Sequence, residues 1–476
     1  MAEPPSLSDA KRKLLEAFLS RNVSQAVEPP IGQRSAGQPI PLALSQEEVV
    51  VHAERLQEAP ALYNESFTLH RSGPLDLGIL EQCLIEILRR HEIWRTSYSF
   101  HGDGTIEQVV HPAPVTVAVP FVDLRPLSDA AREERAARLA SEDAAKPFDL
   151  RSGPLVRWLV LQIGEHEFRL HFTIHQSVVD GLSVFRIFPT ELTVTYEALA
   201  AGGPCDLREL PVQFGDYAVW QRRSLSPEKL RSQLAYWRKQ LDGNLPVLDW
   251  PAGRNRPARE SHRGEIHSFL VPEQLRNSLR NLIRAENTTL FAILLAGFSA
   301  LFHFDTNQRD IVLGTLSPAG RKHSEVQDLL GYFLNPVALR MRLNPESSFH
   351  ELLQQAMQVT AEAISNDDVT LQQICKEFAI PSDSSRSPIF QHVISLAPDV
   401  AELPSGWKQT YMDVSSGGAR WDLYLEFSHR PNGIAGRAQY NPDLMDVNFI
   451  EKMVADLERI LTLACKHPES TIRYLR

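Results

Sequence analysis

The segment from Ile174 to Gly181, with the sequence IHQSVVDG, contains the side chains best suited to chemistry. The imidazole of His175 can exchange a proton near neutral pH, and the carboxylate of Asp180 can form an ion pair or accept hydrogen bonds. The carboxamide of Gln176 can orient a polar group but is not basic. The His-x-x-x-x-Asp-Gly spacing is weak evidence alone, because a single histidine at a strand end is more often a hydrogen-bonded structural residue.

The elements around this segment predict a rigid support for it. Two β-rich runs, 155–163 and 167–175, flank the polar turn from Gly164 to His166, which is typical of a β-hairpin. The second strand ends where His175 and Gln176 enter a loop, and a strand end can hold a side chain firmly against a cleft. Residues 181–200 return to helical spacing, and Pro189 is expected to kink or interrupt that helix.

Helices and strands are mixed along the rest of the chain. Asp76 is a candidate N-cap for a helix that ends near His91, and Ser226-Pro227 has the arrangement that starts another helix. Residues 8–21 are typical of a short amphipathic helix, and residues 22–40 of a linker. Later helices are predicted at 273–284, 288–304, 347–364 and 446–466, and later strands at 265–271, 309–315, 334–343, 390–396, 422–429 and 434–440. The predicted class is α/β with mixed sheets, in two lobes.

Composition limits the possible functions. With 476 residues the chain is too long for one ordinary core, and a net charge of −10 argues against a nucleic-acid binder. The four cysteines have no metal-ligand spacing, which predicts reduced thiols and no metal site. The start lacks a basic region followed by an apolar run, and the apolar stretch Leu290–Phe304 is too short to span a membrane. These features favour a cytoplasmic protein that does not bind membranes.

Six motifs occur in the order found in the condensation domains of nonribosomal peptide synthetases. The core segment resembles the family motif His-His-x-x-x-Asp-Gly, with Gln176 in place of the second histidine. The other similar segments are Arg90–Tyr98, Phe214–Gln221, Asp310–Thr315 continuing to Arg321, Gly331–Asn335 and Ser385–Phe390. The resemblance covers about residues 40–470 and identifies the chain as a member of this family, within the chloramphenicol acetyltransferase-like superfamily.

This resemblance implies a V-shaped pair of acetyltransferase-like lobes around a central tunnel. It implies a linker at 1–40, an N-terminal lobe at 41–225 and a C-terminal lobe at 226–476. Upstream donor and downstream acceptor carrier proteins would bring a thioester and an amine on phosphopantetheine arms, so the domain needs no cofactor of its own. Neighbouring synthetase domains are further expected partners. The ending at Arg476 suggests an excised or free-standing domain.

The resemblance also assigns roles to single residues. Position 176 is the one nearest the reacting amine, and His175 is expected to orient the loop without touching substrate. Asp180 is expected to brace the loop by pairing with an arginine, for which Arg95 is the candidate; the alternative is that both are ordinary surface charges. Gly181 is expected to permit a close backbone approach or an unusual φ, and its amide to help bind the oxyanion. Asn335 and Ser317 are expected to face the substrate tunnel.

Gln176 leaves two functions open. A histidine base typically contributes roughly 10²–10⁴-fold in rate, whereas a carboxamide can only position the amine, which predicts slowed or specialised amide formation. The alternative is a catalytically inactive platform that docks carrier proteins or recruits tailoring enzymes. An engineered His-to-Gln change would leave other motifs intact, but Ser45–Val49 and Asn366-Asp367 also depart from the family pattern, which favours natural divergence. Motifs of epimerisation domains, heterocyclisation domains, plant-type acyltransferases and serine hydrolases are not found.

Overall fold

The hairpin predicted around Gly164 lies at the centre of the N-terminal sheet in the computed structural model. The structure describes residues 29–56, 61–205, 207–248, 250, 255–410 and 414–475. The helix predicted at 8–21 and residues 22–28 of the predicted linker therefore lie outside the described residues.

The described strands and helices are interspersed along the chain. The strands are β1 Ile40–Pro41, β2 Asn64–Ser72, β3 Thr96–Phe100, β4 Ile106–Val110, β5 Phe121–Asp123, β6 Val156–Gly164, β7 Glu167–His175, β8 Glu265–Leu270, β9 Asp310–Ser317, β10 Asn335–Arg342, β11 His392–Leu396, β12 Trp407–Gln409, β13 Leu423–Arg430 and β14 Gly433–Tyr440. The helices are α1 Leu44–Arg55, α2 Leu77–Arg90, α3 Asp129–Ala144, α4 Phe188–Ala200, α5 Phe214–Ser224, α6 Pro227–Gln240, α7 Glu273–Ala285, α8 Leu290–Thr306, α9 Phe349–Ile364, α10 Leu371–Glu377 and α11 Val447–Lys466.

Local sequence signals account for several of these boundaries. The carboxylate of Asp76 accepts hydrogen bonds from two backbone amides of the first turn of α2, as expected for an N-cap. The hydroxyl of Ser226 caps α6 in the same way, with proline in the first turn. The predicted interruption at Pro189 is confirmed: a π-helical segment, Ser183–Ile187, precedes α4, which carries Pro189 in its first turn.

The strands form two large mixed sheets and one small one. The N-terminal sheet has the order β12-β2-β7-β6-β5, and the C-terminal sheet has the order β10-β9-β11-β13-β14-β8. The small sheet has the order β1-β4-β3. Strand β12 comes from the second half of the chain but pairs with β2, with Trp407 opposite Arg71. The pairing of β12 with β2 joins the two halves and was not predicted from the sequence.

Each large sheet packs on its own hydrophobic core. One core includes Phe67, Phe172 and Phe188 beside the N-terminal sheet. The other surrounds α8, whose residues from Leu290 to Phe302 are nearly all buried, as its apolar sequence predicted. No single helix in the described ranges is long and apolar enough to cross a membrane, although the bent pair formed by α7 and α8 together has the required length and composition.

Candidate active site

A cleft lies between the two halves of the chain and is bordered by the predicted core segment. From the first half, its walls include Glu65, Gln176 and Gly181. From the second half, they include side chains of β13 and β14 and of the segment before them. The segment that the sequence singled out therefore faces the other half of the molecule across a cavity.

Strand pairing holds the start of the core segment beside β2. Strands β2 and β7 are antiparallel, with Asn64 opposite His175 and Glu65 opposite Ile174. The pairing continues one residue further, because the backbone amide of Gln176 donates to the carbonyl of Tyr63 over 2.7 Å. Gln176 is thus fixed at its backbone, and its side chain borders the cleft.

His175 is a buried hydrogen-bonding residue of the loop. Its Nδ1 lies 2.7 Å from the hydroxyl of Ser177 and accepts a hydrogen bond from the Ser177 amide at 3.3 Å. Burial lowers the pKa of His175 to about 3, so the imidazole is neutral at physiological pH. The side chain orients the turn that follows it and does not line the cleft.

Ser177 connects this turn to a second layer of buried polar groups. The hydroxyl of Tyr98 donates to the Ser177 hydroxyl at 2.9 Å. The amide of Gln46 donates to the Tyr98 hydroxyl at 3.1 Å and to the Ser177 carbonyl at 3.0 Å. Helix α1, which carries Gln46, thereby holds the loop on the side away from the cleft.

Asp180 forms a buried ion pair with Arg321, so the predicted pairing with Arg95 is wrong. The guanidinium of Arg321 donates to Asp180 from Nε at 2.9 Å and from Nη2 at 2.8 Å. Asp180 also accepts from the amide and the hydroxyl of Ser183, at 2.9 and 2.8 Å. The side chains of Asp180 and Arg321 are 1% and 5% exposed, so Asp180 is not a surface charge, as the alternative supposed.

Arg95 binds other groups and does not contact Asp180. Its Nε donates to the carbonyl of Leu88 at 3.1 Å, and its Nη1 donates to the carbonyl of His111. Its Nη2 lies 3.7 Å from the carboxylate of Glu92. These contacts keep Arg95 beside the end of α2. Arg321 could have been found from its place in the family-like stretch after β9, but only the fold brings it to Asp180.

Gly181 lies where another chain segment approaches closely. A Cβ added to Gly181 would come within 3.1 Å of Cδ of Pro398, from the second half of the chain. Its φ is not in the left-handed region, so the expected unusual φ is not found, whereas the close approach is. A side chain at this position would need Pro398, in the other half of the molecule, to shift by a few tenths of an ångström.

The side chain of Gln176 meets an acidic residue that the sequence prediction missed. Its Nε2 lies 3.4 Å from Oε1 of Glu65, and both residues border the cleft. Burial raises the pKa of Glu65 to about 7; the charge of Arg437 opposes this shift and that of Glu426 adds to it. The sequence around Glu65 has no chemical motif. The only signal is an acidic residue within a strand-like run.

Ser317 and Asn335 do not border the cleft, contrary to their expected place in the tunnel. They lie opposite each other on β9 and β10 and are buried. The hydroxyl of Ser317 donates to Asp367 at 2.5 Å, and the amide of Asn335 donates to the Asp367 carbonyl at 2.7 Å. Successive side chains of a strand alternate between faces, and the neighbours Leu316 and Leu334 border the cleft instead.

The side chains of the cleft suit orientation and proton transfer. Within the described ranges, no group of three His, Cys, Asp or Glu side chains is arranged to hold a metal ion. The cleft combines a carboxamide, a carboxyl group of shifted pKa and a tightly braced glycine turn. Such a site can hold a nitrogen nucleophile and accept its proton.

Comparison with known proteins gives consistent relatives. The family model described as the condensation domain matches residues 37–476. One of the linear gramicidin synthase proteins of Brevibacillus parabrevis is 36% identical over 436 residues, covering 90% of this chain and 6% of that protein. Phosphinothricin tripeptide synthetase PhsC of Streptomyces viridochromogenes is 32% identical over 463 residues, covering 96% of this chain and 42% of that protein. The chain thus spans less than half the length of these two relatives.

Solved structures share the fold. The X-domain from teicoplanin biosynthesis superposes with a TM-score of 0.80 at 24% identity, covering 93% of this chain and 99% of that one. The first condensation domain of the calcium-dependent antibiotic synthetase superposes with a TM-score of 0.79 at 19% identity, covering 92% and 99%. The mixed-sheet architecture predicted from the sequence is confirmed.

Proposed function

The chain belongs to the condensation-domain family of nonribosomal peptide synthetases, and we propose that it transfers an acyl or peptidyl group from a carrier-bound thioester to a carrier-bound amine. The amine nitrogen attacks the thioester carbonyl carbon, a C–N bond forms, and the C–S bond breaks. The nitrogen loses one proton and the departing sulfur gains one, so the products are an amide and a thiol. The thioester and the amine would arrive on the phosphopantetheine arms of an upstream and a downstream carrier protein.

The observation that carries this proposal is the position of Gln176 and Gly181 on one wall of the cleft between the two halves. Two substrates that enter a cleft of this kind are held together, and approximation of reactants is worth about 7–11 kcal/mol of the barrier. The carbonyl oxygen of the Gln176 side chain can accept a hydrogen bond from the attacking amine and so orient it. An α-amine has a pKa of about 7.7–8 and is partly unprotonated at neutral pH.

The loop is built to keep its shape during such a reaction. Asp180 and Arg321 connect it to the second half through a buried ion pair. The hydroxyls of Ser177 and Tyr98 hold its other side. A preorganised loop of this type does not need to rearrange when charge develops on the thioester oxygen, and the Gly181 amide is our candidate donor to that oxygen.

A second candidate function is favoured by one observation, the carboxamide at position 176. Because this group cannot hold a proton, the domain would be a platform that docks carrier proteins or tailoring enzymes if no other group in the cleft accepts one. The X-domain described in complex with OxyB from teicoplanin biosynthesis has the same fold. The two functions differ in whether the unmodified chain forms amides.

A transfer assay distinguishes them. Aminoacyl thioesters of N-acetylcysteamine, which imitate the end of a phosphopantetheine arm, are supplied as a panel of donors and acceptors, and dipeptide thioesters are detected by mass spectrometry. We expect product from the unmodified chain. We expect Gln176→Ala to lower kcat/KM by about 10-fold, which corresponds to one hydrogen bond of ~1.4 kcal/mol.

Two further variants complete the assay. Gln176→His adds a base at the same place and is expected to raise kcat. Gln358→Ala changes an exposed glutamine on α9, which bonds only to Glu362 among the described contacts, and is expected to have no effect. Product from neither the unmodified chain nor Gln176→His would support the platform. Turnover that is undiminished in Gln176→Ala would show that position 176 is not the chemical centre.

A further inference from the structure

We propose, on the basis of the condensation function above, that Glu65 accepts the proton of the attacking amine while Gln176 holds that amine in place. The two roles that one histidine could combine would then be divided between two neighbouring side chains. Glu65 lies on β2 and Gln176 follows the end of the adjacent strand β7. Their side-chain atoms Oε1 and Nε2 are 3.4 Å apart, and both residues border the cleft.

The contact between them sets the orientation of the carboxamide. An ionised carboxylate can only accept hydrogen bonds, so the NH₂ group of Gln176 must face Glu65. The carbonyl oxygen of Gln176 is then directed away from the carboxylate, which leaves it to accept from an amine. A neutral Glu65 could instead donate to that carbonyl and allow the amide to flip. The ionised form of Glu65 therefore supports both proton transfer and positioning.

The reaction step balances without any further reagent. The neutral amine attacks the carbonyl carbon and its nitrogen becomes positively charged. A carboxylate oxygen of Glu65 takes one proton from this nitrogen, the C–S bond breaks, and its electron pair leaves with sulfur. The carboxylic acid of Glu65 then returns the proton to the thiolate, so Glu65 is ionised again and the products are an amide and a thiol.

The charges that face Glu65 suit this role. Arg437 and Glu426 lie opposite each other on β14 and β13 and border the same cleft. Burial raises the pKa of Glu65, Glu426 raises it further, and Arg437 limits the shift, which leaves a pKa of about 7. Tyr63, Arg420 and Tyr424 also border the cleft. A base whose pKa is near the working pH combines a useful ionised fraction with useful basicity.

The other acidic or basic groups near the loop are committed to structure. His175 is buried, its Nδ1 bonds to Ser177, and it does not border the cleft. Asp180 is saturated by Arg321 and by the amide and hydroxyl of its own turn. Glu426 accepts from the hydroxyl of Tyr424 at 2.9 Å. Of the carboxylates that border the cleft in the described part of the chain, Glu65 is the one within 3.5 Å of Gln176.

The experiment measures kcat/KM for the thioester panel between pH 5.5 and 8.5 in the unmodified chain and in Glu65→Gln. In the unmodified chain we expect the rate to rise with pH through an apparent pKa of about 7. Glu65→Gln is expected to lower kcat/KM about 10²-fold, at the low end for loss of a general base, and to remove this limb near pH 7, which leaves only the rise through the pKa of the amine itself, about 7.7–8. Glu167→Gln is the matched control, because it lies at the exposed outer end of β7, where it accepts from Ser72.

A double substitution separates a base from a merely structural carboxylate. In the Gln176→His background a new base is present, so Glu65→Gln is expected to cost less than 10-fold there. The thermal midpoint of each variant is measured to show that it folds. If Glu65→Gln does not fold, carbon-13 NMR of the Glu65 carboxyl in the unmodified chain replaces it, with a titration midpoint near 7 expected and one near 4.5 overturning the inference.

The outcomes distinguish this inference from the proposed function. An unmodified chain that forms no product would refute the function and with it the base. An active chain whose rate and pH limb persist in Glu65→Gln would refute only the role of Glu65. If Glu65→Gln lowers kcat/KM equally with and without Gln176→His, Glu65 is a structural carboxylate, and this result would also overturn the inference.

Discussion

The ion pair between Asp180 and Arg321 provides the most direct test of how the two halves of the chain are joined. The perturbation is Asp180→Asn, which keeps the shape of the side chain and removes its charge. In the native structure the carboxylate accepts two hydrogen bonds from Arg321 and two from Ser183. The variant leaves the guanidinium buried without its counter-charge.

The magnitude follows from burial and from the other bonds of the guanidinium. Arg321 also donates through Nη1 to the carbonyls of Val326 at 2.6 Å and Leu329 at 2.8 Å, so it cannot swing to solvent without losing them. Because both charged side chains are almost fully buried, removal of one partner is expected to lower the free energy of unfolding by about 3–5 kcal/mol. Arg321→Met is expected to have an effect of the same size.

Urea unfolding followed by tryptophan fluorescence measures the effect. In a double-mutant cycle, Asp180→Asn and Arg321→Met should couple by about 1–3 kcal/mol, because neither charge is then left unpaired. Arg95→Met is the control, since Arg95 was the partner predicted from sequence but contacts Leu88 and His111. It should couple with Asp180→Asn by less than about 0.5 kcal/mol. Coupling of Asp180→Asn to Arg95→Met in place of Arg321→Met would refute this reasoning. So would a loss of unfolding free energy below about 1 kcal/mol in Asp180→Asn.

Three further predictions concern the same loop. Glu426→Gln removes a negative charge that raises the pKa of Glu65, so the pH limb of the transfer rate should move to lower pH, and an unmoved limb would contradict the assigned electrostatics. Tyr98→Phe removes the hydroxyl that donates to Ser177 and should lower the free energy of unfolding by about 1–3 kcal/mol in urea titrations. His175 has a pKa of about 3 in the fold and is neutral there. The unfolded chain binds a proton at this histidine below pH 6.5. The contribution of His175 to stability is therefore full above pH 6.5 and is lost as pH falls toward 3. The difference in unfolding free energy between the unmodified chain and His175→Asn should therefore narrow by about 1.4 kcal/mol per pH unit below 6.5, whereas a constant difference would exclude this effect.

Much of the local structure was predictable because its signals are local. The hairpin of β6 and β7 was evident from two strand-like runs around one turn, and Asp76 and Ser226 marked helix starts by their capping chemistry. The apolar run in α8 identified a buried helix. The core segment was also found in the sequence, because it resembles a family motif and five further motifs accompany it in order.

The errors concern contacts between residues far apart in the chain. The predicted partner of Asp180 is Arg95, in the same half of the chain, but the pair is formed with Arg321 across the two halves. Ser317 and Asn335 are predicted to face the tunnel, but they do not border the cleft, whereas the preceding residues Leu316 and Leu334 do. One residue of register decides which side chain of a strand faces a cavity.

The amino-acid sequence by itself determined the family, the mixed-sheet class, the main helices and strands and the place of Gln176 at the end of a strand, because each depends on residue identity or on short-range periodicity. The tertiary structure decided which arginine pairs with Asp180, which residue contacts Gly181 and which carboxylate lies next to Gln176. Those neighbours arise from strand pairing and from contact between the two halves. The pKa of Glu65 depends on that packing, since burial and the charges of Arg437 and Glu426 exist only when the halves meet.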